Sequence, residues 1–133
     1  PMLDHLNTSL DLLWTLAREK GFADRLTVVV GSDFGRTPRY NADEGKDHWP
    51  IGSVLVMQDA PTWGDRQVGA TDDMHNALAV NPSTLAPDQA TGTVINPKHV
   101  HKALRRELGL ESTVADSAFP FNNTEDFAFF EST

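Results

Sequence analysis

Cysteine is absent from all 133 residues. Disulfides, thiolate nucleophiles and cysteine-ligated zinc are therefore excluded. Basic charge is scarce: 11 Lys and Arg stand against 19 Asp and Glu, for a formal net charge of -8. With no basic run to release counterions, binding to nucleic acid or to an anionic membrane is not expected. A small anionic substrate stays open, because one Arg or one metal ion inverts the field at a site. No apolar run approaches the ~18 residues of a membrane-spanning helix, and no signal-peptide pattern opens the sequence. No Gly-x-Ser-x-Gly elbow, glycine-rich phosphate loop or dinucleotide fingerprint occurs, and there is no internal repeat.

What is present suits one domain with its own core. The composition is ordinary for a globular chain, 39% hydrophobic and 23% charged. Leu3, Leu6, Leu10, Leu13 and Ala17 recur at alternating three- and four-residue steps, with Trp14 widening the stripe. That period predicts a helix over 3–20, stopped by Gly21 after Arg18 and Lys20. The chain opens at Pro1 inside this pattern, so a fragment of a longer protein is expected. Ile51 to Met57, Val68 to Thr71 and Thr93 to Ile95 read as short strands, and Ala77 to Asp88 reads as loop. Asn96-Pro97 is a helix start, an Asn cap with Pro at the first helical position. The helix is expected to run to about Leu108, burying Val100, Ala103, Leu104 and Leu108, with Gly109 closing it.

The rest is organised around 26–50. Leu26-Thr27-Val28-Val29-Val30 is a continuous β-branched run, the pattern of a strand buried on both faces in a helix-covered parallel sheet. It stops at Gly31, and the polar loop Ser32-Asp33-Phe34-Gly35-Arg36 follows. Loops at the carboxyl end of such strands are where open α/β sheets place ligands. Asp33 suits a hard or borderline metal. Arg36 suits a bidentate fork to phosphate or sulfate, or an ion pair with Asp33 or another acid. Asp47-His48-Trp49-Pro50 offers a second group. His48 is either an imidazole ligand or base, or a structural histidine under Trp49. Asp72-Asp73-Met74-His75 is a weaker cluster of the same kind. His99 and His101, two apart on a helix, face different sides and cannot share a metal.

The segments Val28 to Pro38, Gly45 to Pro50 and Gly69 to Asp72, with the closing Ala103-Leu104 and Leu108-Gly109-Leu110, resemble the C-terminal part of a sulfatase-like family of the alkaline-phosphatase superfamily. The resemblance implies an α/β fold, a mostly parallel sheet flanked by helices, with residues 1–110 forming its C-terminal portion. It implies hydrolysis of phosphate or sulfate esters with a divalent metal: zinc, calcium or manganese. Asp33 matches the aspartate of the superfamily's Ser-Asp-His-Gly loop, and His48 resembles its later metal-binding histidine. Phe34 stands where that loop carries a second ligand. Arg36 and Lys46 match family positions, and their contact with an anionic ester is our inference. The resemblance also implies an exported or periplasmic setting. The nucleophile would lie in an N-terminal half outside this chain, which would then be a partner.

Two function classes follow. One is the C-terminal portion of a metal-dependent ester hydrolase. The other is a binding or structural module that keeps the fold without chemistry, which Phe34 in a ligand position favours. Five of the seven phenylalanines, Phe119, Phe121, Phe127, Phe129 and Phe130, fall in residues 111–133. That much aromatic surface is costly in water, so the tail is expected to pack on its own domain or on a partner, including a second copy. Asn7-Thr8-Ser9 and Asn122-Asn123-Thr124 fit the short glycosylation pattern.

Overall fold

The computed structural model describes residues 2–122 and 124–132; the second glycosylation pattern includes Asn123, outside the described residues. Helix α1 spans Met2–Glu19 and α2 spans Pro97–Glu107, with a short α3 over Val114–Ala118. A single 3-10 turn, Ala23–Arg25, follows α1. The strands are very short: β1 Val28–Val30, β2 Gly35–Arg36, β3 His48–Trp49, β4 Leu55–Met57, β5 Ala79–Val80 and β6 Thr93–Val94.

The helix ends follow from local chemistry. Gly21 sits at φ 71, the left-handed backbone that glycine adopts without a Cβ penalty. Its N–H donates to the Arg18 carbonyl at 3.1 Å, and that of Phe22 to the Ala17 carbonyl at 3.0 Å. These two bonds close α1 as a Schellman motif. Gly109 does the same for α2, its N–H reaching the Arg106 carbonyl while Leu110 reaches Arg105.

The expected parallel sheet is not there. The strands form three separate antiparallel pairs, β1 with β4, β2 with β3 and β5 with β6. No large parallel sheet flanked by helices exists among the described residues, and the α/β expectation is corrected. The valine run misled because continuous apolarity does not distinguish parallel from antiparallel pairing. Nor is β1 buried on both faces: Val29 is 48% exposed, and its cross-strand neighbour β4 carries Leu55 at 49%. Ile51 to Ser53 lie outside any strand, and Val68 to Thr71 contributes only a bridge from Thr71 to Ala77. β5 lies inside the segment expected to be loop. Leu108 is 49% exposed rather than buried.

The core is small. Trp14, Ala17 and Ala23 cluster under Leu26, Val28 and Met57. Elsewhere Val80, His99, Ala103 and Phe127 are almost fully buried. The tail folds back over α2: Ala128 N–H donates to the Pro82 carbonyl at 2.9 Å, and the Phe127 ring packs against His99 at 4.8 Å. Much apolar surface is left over. Leu3, Leu6 and Leu13 on the α1 stripe are 72%, 38% and 38% exposed.

Candidate functional site

The pairing of β2 with β3 builds the site that the sequence singled out. Their register sets Arg36 opposite His48 and Gly35 opposite Trp49. Gly35 is dictated by space, since a Cβ there would lie 1.9 Å from the Ile51 carbonyl oxygen. The connecting loop is held by its own polar groups. Asn41 donates to the Asp47 carboxylate at 2.8 Å and accepts from the N–H groups of Asp43 and Gly45. Asp47 N–H donates to Thr37 Oγ1.

The four expected site residues are placed as follows. Arg36 donates to the Lys46 carbonyl at 2.9 Å and lies 5.0 Å over the Phe34 ring. It therefore ties β2 to the end of the connecting loop and pairs with neither Asp33 nor Asp47. Lys46 sends its ammonium 5.4 Å from the Tyr40 ring. His48 is stacked on Phe34, with ring centroids 3.6 Å apart and planes inclined by 22°. Its face is covered by Phe34, not by Trp49, whose indole N–H donates to the His75 carbonyl at 3.0 Å. Asp33 is exposed at the lip of a large cleft.

These residues do not make a metal site on their own. Among the described residues no group of three or more His, Cys, Asp or Glu is placed to hold an ion. A zinc site takes three or four protein ligands, so Asp33 and His48 do not suffice. The Asp72 loop is self-satisfied. Its carboxylate accepts from Met74 and Asn76 N–H groups, and the Asn76 bonds hold it below the ordinary carboxylate range.

The cleft has a volume of about 1310 Å³, walled by Trp14 and Arg18 of α1, the Ser32–Phe34 turn, β4, and Phe129 and Phe130 of the tail. It exceeds the ~300–1,000 Å³ of small-molecule pockets. The Trp14 indole N–H in its wall is buried without a partner, a cost that native interiors seldom leave unmet.

The sequence reading missed a second cluster altogether. His99 is 1% exposed. Its Nδ1 accepts from Asn96 N–H at 3.0 Å, and its Nε2 meets the Glu125 carboxylate at 3.1 Å. Lys102, Arg105, Arg106 and Arg66 all bind the tail or the segment before it. The available signal was a His at the third helical position after Asn96-Pro97, where a capping-box residue reaches back to the cap.

No curated protein matches this chain, and no solved structure matches it. No sulfatase or alkaline-phosphatase family is found either, which overturns the resemblance drawn from the Ser32–Pro38 and Asp47–Pro50 segments. Such segments are short, and strand-end loops of Gly, Asp and Arg arise wherever a chain turns sharply beside charge. One family model does match, over residues 4–116 and so most of the chain: the chain belongs to the family of proteins of unknown function DUF1501.

Proposed function

We propose that this chain is a binding and structural module that completes its fold against an apolar partner surface. The supporting observation is its surface area. The chain exposes 9628 Å², whereas a compact monomer of 14.6 kDa is expected to expose about 6,900 Å². The excess is well above the ~800 Å² that each partner buries in a standard interface. It includes the leucine stripe of α1, the open ribbon β1–β4 and the cleft between them. A further portion of the same polypeptide, the N-terminal half expected above, is the partner we propose. The test is co-expression of the 133-residue chain with that portion, with and without Leu6→Asp and Leu13→Asp. We expect the two pieces to co-purify, and the substitutions to abolish this while leaving the isolated chain's helix content unchanged. Equal co-purification with both substitutions in place overturns the reading.

A second reading is favoured by the β2–β3 register, which sets Arg36 opposite His48 on an exposed ribbon, with Lys46 in the loop that leads into β3. In it the chain is part of a hydrolase of phosphate or sulfate esters. Asp33 and His48 supply two ligands of a divalent ion completed from the partner, and Arg36 and Lys46 face a small anionic ester. Zinc, manganese and calcium content of the assembled protein tests it. Metal content unchanged by Asp33→Ala would remove the aspartate from that role.

A further inference from the structure

The tail is held in an unusual way. Among the described residues of 124–132, one backbone N–H reaches beyond the tail, from Ala128 to Pro82. Half of the other links run from cationic side chains to main-chain oxygens, and the rest join side chains, Arg106 to Glu131 among them. Lys102 donates to the Thr124 carbonyl at 2.6 Å and Arg106 to that of Phe127 at 2.8 Å. Arg66 donates to the carbonyls of Ala128, Phe129 and Glu131. Lys102 and Arg106 take carbonyls of an irregular stretch and Arg66 those of the turn at 128–131, whose Glu131 N–H donates to the Ala128 carbonyl. Such contacts read the backbone whatever its side chains are. Specificity is added at a few points: Asp126 lies 2.9 Å from Lys102 and 3.2 Å from Arg106, and Glu125 meets His99. Phe127, 1% exposed, is the anchor between them.

This is the arrangement of a peptide groove, with cations along a helix, one buried aromatic socket and contacts to the main chain. We propose that α2 and Arg66 form a binding groove for an acidic, phenylalanine-bearing segment that ends in a turn. The chain's own tail is the resident ligand, and the tail of a second copy replaces it by reciprocal exchange. The α2 face of the groove is separate from the α1 stripe, while Arg66, Phe129 and Phe130 also line the cleft. Leu6→Asp and Leu13→Asp leave the groove's own residues untouched, so failure of this inference is distinguishable from failure of the reading above. Exchange needs no new contact, because each groove receives the sequence that it already holds.

Two charge-reversed chains test it. In K102E/R106E the groove repels its own tail; in D126K/E131K the tail repels its own groove. Each alone is expected to be monomeric with α1 intact by circular dichroism. Mixed in equal amounts they are expected to form a one-to-one pair of twice the 14.6 kDa mass by native mass spectrometry. A mixture that stays monomeric overturns the proposal. A measurement free of substitutions runs beside it: isotope-labelled and unlabelled chains are mixed at about the millimolar effective concentration of a tethered segment. Nuclear Overhauser contacts between His99 of a labelled chain and Phe127 of an unlabelled one are expected, and their absence overturns exchange.

Discussion

The rings of Phe34 and His48 lie stacked, 3.6 Å between centroids, across the junction of β2 and β3. Phe34 is thus the packing partner of the candidate histidine. Aromatic pairs of this kind are worth about 0.5–1.5 kcal/mol beyond area burial. Phe34→Ala is expected to destabilise the ribbon by about that amount. It should also move the His48 ring-proton resonances downfield as the ring current is lost. Unchanged shifts would mean that the stack does not persist in solution.

Glycine contrasts at neighbouring positions give a second expectation. A Cβ at Gly35 would collide with the Ile51 backbone, whereas one at Gly31 would meet only Val54 Cγ2 at 3.6 Å. Gly35→Ala is therefore expected to cost about 1–3 kcal/mol or more, as overpacking does. Gly31→Ala should be close to neutral. The difference is read as a shift in urea midpoint between the two variants.

The clasp between α2 and the tail gives a third. Phe127→Ala removes a fully buried ring and is expected to cost about 3–5 kcal/mol. His99→Ala leaves the Asn96 N–H without its acceptor, for which about 1–3 kcal/mol is expected. The two side chains touch, so their effects should be non-additive in a double-mutant cycle.

Acid should open the same region. The Arg105 guanidinium holds the Asp116 carboxyl below its usual range. The Glu125 carboxyl is lowered chiefly by its own backbone N–H and then by His99. Each folded-state value lies below the unfolded one. The stabilisation is therefore complete above the ordinary carboxylate range, about pH 4, and is lost as pH falls through the depressed values. Proteolysis of the tail is expected to accelerate below about pH 4, with no change between pH 6 and 8 from these two groups.

Both long helices were legible in the sequence, because α1 repeats leucine at helical spacing and α2 opens on Asn96-Pro97. Strand pairing was not. Val28 to Val30 reads the same in a buried parallel sheet and in an open antiparallel ribbon, since partner and exposure are set by residues far along the chain. The two-residue β5 and the five-residue α3 are too short to show a period. At the site, the sequence picked out 33–36 and 46–49, but not that Arg36 would hold the Lys46 carbonyl. From the sequence His99 reads only as unable to share a metal with His101, not as buried. Its partner Glu125 lies 26 residues away, beyond the reach of any local pattern.

The most direct test of the account is amide hydrogen exchange over Met2–Leu13, measured on the 133-residue chain alone and on the longest natural form of the protein. The exposed leucine stripe predicts fast exchange in the first and strong protection in the second. Equal rates in both would contradict the claim that α1 docks against a partner surface.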